Sequence, residues 1–147
     1  MRVKLYFATG VNPELEKKLK GIEMIRLMAL VQFQKPRGWT NPETAIIDTG
    51  APLCLIPLSF WSSINHRKLA DHEVSGIVKK PEWRVPVTVE QLTCKRLDAE
   101  GHQTKALPIH AFLAPTDDVP LILGFKDLLA RFIHHFDYRK KEAYIEE

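Results

Sequence analysis

The chain has 147 residues, a length typical of one domain with a modest hydrophobic core. Hydrophobic residues make up 45% of it and charged residues 27%, which excludes a disordered or fibrous protein. The net charge of +3 comes from scattered basic residues without an aromatic-rich basic motif, so we expect no nucleic-acid partner. Two cysteines are too few for a disulfide framework.

The N-terminal residues and the apolar runs predict where the protein resides. Residues 1–4 lead into a short alternating segment and lack the apolar stretch of a secretory signal. The longest apolar run, residues 22–33, is too short to span a bilayer and contains Glu23 and Arg26. We therefore expect a cytoplasmic protein with no membrane partner.

Strand patterns dominate the chain. Apolar or alternating runs predict strands at residues 3–7, 24–34, 45–47, 74–78, 85–89, 92–94, 106–114, 119–123, 133–137 and 142–145. Short helices are predicted at residues 12–21, 57–61 and 126–132, and the first of them has Asn12 as a cap and Gly21 as its end. Polar segments or segments with Pro and Gly predict loops at residues 35–42, 64–73, 98–101 and 115–118. The predicted fold class is mostly β with two or three short helices.

The stretch from residue 44 to residue 57 holds one carboxylate in a turn between two apolar runs. Residues 45–47 lead into Asp48, and Thr49 and Gly50 follow. Gly50 allows backbone angles that a side chain would forbid, and Asp48 can accept hydrogen bonds from amides of its own turn. A carboxylate held at the border between core and water has a pKa that its surroundings can tune. An ordinary turn between strands explains the triplet equally well, so both interpretations stay open here.

Other enzymatic motifs have no match in the sequence. The six histidines form no His-Glu-x-x-His pair and no zinc-like spacing with cysteines, and His134 and His135 would point to opposite faces of a strand. The sequence contains no phosphate-binding glycine loop and no Gly-x-Ser-x-Gly elbow, and nothing singles out a carboxylate pair for glycoside hydrolysis. We therefore expect neither a metal nor a cofactor.

A second motif, Ile122-Leu123-Gly124, ends an apolar run near the C-terminus and precedes a predicted helix. Together with residues 46–51, and in this order, it resembles the retropepsin family, the single-domain aspartic proteases of retroviruses and their bacterial relatives. The stretch between the motifs has room for a flap hairpin and two further strands. The resemblance covers residues 24–63 and 104–137. It implies one retropepsin-like domain over residues 1–147, with an N-terminal extension at 1–23 and a C-terminal hairpin at 131–147.

The resemblance implies a closed β-barrel in which an apolar strand, carrying Ile122, Leu123 and Gly124, supports the Asp48 loop. One copy of the motif implies a homodimer, in which a two-fold axis brings two Asp48 carboxylates together. Two such carboxylates share one proton, and they would activate a water against a peptide or protein substrate. The chain would then be an aspartic endopeptidase.

Three neighbours of Asp48 acquire roles from the same resemblance. Thr49 would brace the two loops across the axis, and the Gly50 amide would donate to the carboxylate. Ala51 stands where relatives often carry Ser, so a hydrogen bond to the charged pair would be missing. This loss favours the protonated form and predicts activity at mildly acidic or near-neutral pH.

Some features depart from the family pattern. Cys54 lies where members often have Ser or Thr, so the hydrogen bonding of its strand stays open, although its apolar setting predicts a small buried side chain. We place a possible flap between residues 74 and 85, with Gly76 as hinge and Trp83 as lid contact, and a simple surface hairpin is the alternative. Two other functions stay open. One is a catalytically silent retropepsin-like domain that binds peptides or drives dimerisation, and the other is an unrelated β-barrel interaction domain.

Overall fold

The computed structural model describes residues 1–75 and 84–147, and strands dominate these ranges. The strands are β1 (Arg2–Lys4), β2 (Tyr6–Gly10), β3 (Met24–Phe33), β4 (Glu43–Ile47), β5 (Cys54–Ile56), β6 (Arg67–Ser75), β7 (Arg84–Leu97), β8 (Leu107–Leu113), β9 (Ile122–Leu123), β10 (Ile133–Asp137) and β11 (Glu142–Glu146). The helices are α1 (Pro13–Lys18), α2 (Leu58–Trp61) and a 3-10 helix at Leu129–Arg131. The mostly β class predicted from the sequence is confirmed. None of the described helices is long and apolar enough to cross a membrane.

The larger sheet curves into a ring. Its eight strands follow the order β2-β3-β4-β9-β5-β8-β7-β6. β3 pairs with β7 as well, from Leu30 opposite Leu97 to Phe33 opposite Cys94, and this pairing closes a ring of six strands. Within the ring, β9 lies between β4, to which it is parallel, and β5, to which it is antiparallel. The two motifs are therefore on neighbouring strands.

The smaller sheet has three strands in the order β1-β11-β10. β10 and β11 form the predicted C-terminal hairpin, with Ile133 opposite Glu146 and Asp137 opposite Glu142. β1 pairs antiparallel with β11 of the same chain, so both terminal strands are joined within one molecule.

Several local predictions are confirmed. Asn12 caps α1, because its side-chain oxygen accepts hydrogen bonds from the Glu14 and Leu15 amides at 3.0 and 3.1 Å. Phe60 and Trp61 of α2 pack against the core. Cys54 is fully buried, and burial raises the pKa of its thiol to about 11.

The sequence predicts a loop at residues 64–73, and this prediction is wrong because β6 begins at Arg67. Its side chains are mostly exposed because it is the outermost strand beside β7, so it lacks an apolar pattern. The strand prediction for the runs at 85–89 and 92–94 is confirmed, and both runs belong to one long strand, β7, along which β3, β6 and β8 pair.

Three further segments are shorter or more divided than their sequence predicts. Residues 3–7 contribute to two strands, β1 and β2, which belong to different sheets. The apolar run at 119–123 forms a strand only at Ile122–Leu123. The helix expected at 126–132 is reduced to the 3-10 turn, because Asp127 has a φ of 65°, outside the helical region. The predicted flap residues Gly76 and Trp83 lie outside the described residues.

Arg96 of β7 is a fully buried cation. Its Nη1 donates to His134 Nε2 at 3.0 Å, whereas its Nε and Nη2 have no partner among the described residues. Burial lowers the pKa of Arg96 to about 10. His134 therefore accepts from a cation on one side, and its Nδ1 donates to the Phe132 carbonyl at 3.2 Å on the other.

We expect the folded state to lose stability as the pH falls from 6.5 towards 4, because of His134. Burial, assisted by the charge of Arg96, lowers the pKa of His134 to about 4. Since the unfolded side chain titrates near pH 6.5, the unfolded state binds a proton in this window that the folded state does not accept. The full shift corresponds to about 3 kcal/mol at pH 4. Because the side chain is partly exposed, screening by solvent should reduce the loss to about 2 kcal/mol, measured by urea unfolding.

His134→Gln should remove this part of the pH dependence. The matched control is His135→Gln, because His135 lies on the opposite face of β10, stacked on Tyr144 with ring centroids 4.6 Å apart. If the wild type and His134→Gln lose stability in parallel between pH 6.5 and 4, the role assigned to His134 is wrong.

Candidate active site

The Asp48 loop is fixed by its own backbone. β4 ends at Ile47, and the Asp48 amide donates to the Leu123 carbonyl at 3.1 Å. The Ala51 amide closes the turn by donating to the Asp48 carbonyl at 3.2 Å. The Gly50 amide donates to Asp48 Oδ1 at 2.8 Å, as the sequence led us to expect. The turn therefore orients the carboxylate as well as the backbone.

The second motif supports this loop from a neighbouring strand. Ile46 lies opposite Ile122 and Ile47 opposite Leu123 in the parallel pairing of β4 and β9. The Ile46 amide also donates to the Leu121 carbonyl at 3.0 Å. The register of these two strands thus determines where the Asp48 turn starts.

The second motif approaches the backbone that follows Asp48 most closely at Gly124. A Cβ at this position would lie 2.1 Å from the Leu53 carbonyl oxygen and 2.9 Å from that of Ala51. The next amide, of Phe125, donates to the Ala51 carbonyl at 2.8 Å. Only glycine lets the strand approach the far side of the Asp48 loop this closely.

Cys54 provides a hydrogen bond that the sequence left open. Its Sγ accepts from the Gly124 amide at 3.3 Å. Because Cys54 begins β5, this contact ties the strand after the Asp48 loop to the second motif. The thiol stays protonated at neutral pH, so it acts here as a small acceptor.

The segment after Gly124 is anchored to β8 through Asp127. The Asp127 carboxylate accepts from the His110 amide at 3.0 Å and meets His110 Nδ1 at 2.6 Å. Burial alone would raise the pKa of Asp127, but the hydrogen bonds from His110 outweigh burial and lower it. The Asp127–His110 pair thus fixes the turn in which Gly124 and Phe125 contact the Asp48 loop.

Asp48 and Thr49 border an apolar cavity of about 420 Å³. The other side chains that line it belong to β2, β3, β4, β10 and the turn after β10: Phe7, Ile25, Leu27, Ile47, Phe136 and Tyr138. The sequence analysis did not assign these residues to the site, since no motif links them to Asp48. The only local signals are that Ile25 is 47% exposed and Phe136 66% exposed, which is unusual for large apolar side chains.

The Asp48 carboxylate is half-buried and has no cationic partner among residues 1–75 and 84–147. Its single hydrogen bond within this part of the chain comes from Gly50. No group of three His, Cys, Asp or Glu side chains in the same ranges is placed to hold a metal ion. Asp48 is therefore a fixed acceptor beside an apolar cavity, with its second oxygen available.

Comparison with known proteins assigns no family, because no protein-family model matches the chain and no curated protein is significantly similar to it. The interpretation of the site depends on the two motifs and on the contacts that join them. These contacts connect Asp48 and Ala51 of one motif with Leu123 and Gly124 of the other.

Proposed function

We propose that the protein is a homodimeric aspartic endopeptidase of the retropepsin type, with a closed barrel and with Asp48 of each copy in one catalytic pair. The observation that carries the proposal is the close packing of Gly124 against the Asp48 loop. The loop presents a carboxylate that one amide orients at 2.8 Å, and the approach of Gly124 leaves no room for a Cβ. Such rigid positioning is what a catalytic acid–base group requires.

The chemistry needs two carboxylates in different protonation states. Two carboxylates about 3 Å apart cannot both ionise, so they share one proton and titrate as a unit. The ionised member takes a proton from a water, and that water attacks the scissile carbonyl. The protonated member donates a hydrogen bond to the carbonyl oxygen, and the pair later protonates the leaving amine. Each chain supplies one carboxylate, so a single copy holds half of the site.

The other positions of the motif fit supporting roles. Thr49 is exposed at the tip of the turn, where it can contact the loop of a second copy. The ring of six strands supports the barrel, because closure removes most free edges. The apolar side chains beside Asp48 would exclude water once a second copy or a substrate covers them, and this would strengthen hydrogen bonds within the pair.

We expect the pH optimum to depend on residue 51. Ala51 has no hydroxyl, so it gives the charged pair no side-chain hydrogen bond, and wild-type activity should peak between about pH 4 and 7. Ala51→Ser should stabilise the charged form and lower the optimum by about one pH unit. The measurement is kcat/KM against pH, with Ala51→Val as the control for added volume. An active wild-type dimer with an optimum below about pH 3 would contradict this account of Ala51.

The proposed function is tested by measuring cleavage of a mixed peptide library between about pH 4 and 7, together with the oligomeric state. Wild type and Asp48→Asn are compared as folded proteins at the same concentration. Cleavage by the wild type alone supports the endopeptidase. Folded dimers that are equally inactive favour the catalytically silent peptide-binding domain, and a wild type that stays monomeric at all concentrations contradicts the shared pair.

A further inference from the structure

A second groove, of about 560 Å³, lies between α2 and the strands β6, β7 and β8. None of its lining residues borders the cavity at Asp48. Asp71 of β6 lies opposite Thr88 of β7, which lies opposite Leu113 of β8. These three side chains therefore share one face of the sheet, and Glu73, two residues further along β6, lies on that face as well.

The part of the lining that comes from α2 and from the end of β8 is apolar. It consists of Trp61, Leu113 and Pro115, of which Leu113 is buried and Trp61 is partly exposed. An indole ring binds a guanidinium or ammonium group through its π face, and it does so best where carboxylates lie nearby. The groove thus combines an aromatic surface with two acidic side chains.

The side-chain donors beside the groove are already used. Trp61 Nε1 donates to the Ala114 carbonyl at 2.7 Å, and the Thr88 hydroxyl donates to Glu90 Oε2 at 2.5 Å. The ring of His72 belongs to the other face of β6, because neighbouring residues of a strand alternate between faces. Among the described residues, the side chains that face the groove therefore offer acceptors only.

The two acids keep acceptor capacity for a ligand. Asp71 Oδ1 meets Lys68 Nζ at 2.8 Å, and Asp71 Oδ2 has no partner in the described ranges. Glu73 Oε2 is 3.6 Å from Arg84 Nη1, beyond hydrogen-bond distance. All four side chains are more than half exposed, so these pairs contribute little and can open for a ligand. Neither Lys68 nor Arg84 lines the groove.

We infer that this groove binds an arginine side chain of an extended peptide segment in which apolar residues flank the arginine. A guanidinium has five donors and no acceptor, which matches a groove that offers only acceptors. Carboxylates two residues apart on one strand face are about 7 Å apart, so a guanidinium between Asp71 and Glu73 can donate to both. Its flat face can stack on Trp61, and an apolar neighbour can cover Pro115. The inference does not depend on the proposed endopeptidase activity.

A short peptide tests the chemistry of the ligand. The probe is acetyl-Leu-Arg-Leu-amide, and its control contains citrulline, which has the shape of arginine without the charge. We expect a dissociation constant of about 1 mM or below for the arginine peptide at low salt and about tenfold weaker binding of the citrulline peptide. The titration uses Asp48→Asn, so that no peptide is cleaved. Equal affinity of the two peptides, or no binding of the arginine peptide, would overturn the inference.

A double variant tests the two carboxylates. Asp71→Asn combined with Glu73→Gln removes two exposed charges and keeps the side-chain shapes, so affinity for the arginine peptide should fall about tenfold. Glu14→Gln combined with Glu147→Gln is the matched control, because both acids are exposed and neither lines the groove. This control should bind the peptide as the parent protein does. Undiminished affinity of the first double variant would contradict the assigned site.

Nuclear magnetic resonance locates the bound peptide without a further substitution. The indole N–H signal of Trp61 should shift when the arginine peptide is added. The signal of Trp39, whose ring lies under Lys95 Nζ at 4.5 Å and does not line the groove, should stay in place. A peptide that binds without moving the Trp61 signal would place the ligand elsewhere and refute the inference.

Discussion

Asp48→Asn is expected to lower kcat/KM for peptide cleavage by about 10³-fold or more while the fold is retained. An amide has the shape of the carboxylate but cannot accept a proton from water at neutral pH. The Gly50 amide, 2.8 Å from Asp48 Oδ1, can also donate to the oxygen of an amide, although less strongly than to a carboxylate, so the turn should keep its conformation. The loss would therefore be chemical rather than structural.

A matched substitution separates this effect from a general change of charge. Asp118→Asn makes the same chemical change on an exposed loop between β8 and β9, and it should leave cleavage unaltered. Thermal unfolding of both variants should follow the wild type. Full cleavage by Asp48→Asn would exclude Asp48 as the catalytic acid–base.

Mixing the wild type with Asp48→Asn tests whether each chain holds half of a site. If dimers exchange freely, an equal amount of Asp48→Asn should lower the activity of a fixed amount of wild type to about half, because half of the wild-type chains then have an inactive partner. A site within one chain would keep its activity unchanged by the variant. The variant Asp118→Asn, added in the same amount, should not reduce cleavage.

Gly124→Ala is expected to destabilise the fold by about 3 kcal/mol or more and to reduce cleavage at the same time. The added Cβ would lie 2.1 Å from the Leu53 oxygen and 2.2 Å from its carbonyl carbon, and both belong to backbone that cannot rotate away. Relief requires β9 to move away from the loop that holds Asp48. Such a movement weakens the bonds from Phe125 to Ala51 and from Asp48 to Leu123.

Two other glycines calibrate this prediction in urea unfolding. Gly10→Ala in β2 adds a methyl group with nothing within 4 Å, so stability should change by less than about 0.5 kcal/mol. At Gly50 a Cβ would meet Asp48 Oδ1 at 3.2 Å, so Gly50→Ala should have an intermediate cost and a direct effect on the carboxylate. Equal stability of Gly124→Ala and Gly10→Ala would show that the approach to Leu53 is not restrictive.

The sequence by itself determined the features that depend on a few neighbouring residues. The strand-rich class follows from short apolar runs, and Asn12 caps α1 with its own side chain. The bond from Gly50 to Asp48 spans two residues, so the triplet encodes it directly. Where the local pattern is weak, as in the polar strand β6, the sequence gives the wrong element, because pairing with β7 outweighs local preference.

Tertiary structure alone decided how the distant parts of the site meet. The sequence suggested that Gly124 is important. Only the structure shows why no other residue fits there, because the carbonyl oxygens of Leu53 and Ala51 occupy the space that a Cβ would need. Cys54 is an acceptor for Gly124 only because β5 and β9 are adjacent. Phe136 borders the same cavity as Asp48 because the smaller sheet packs against the larger one, and no local motif links the two residues. Contacts between residues this far apart in the chain depend on the whole packing, which no short stretch of sequence contains.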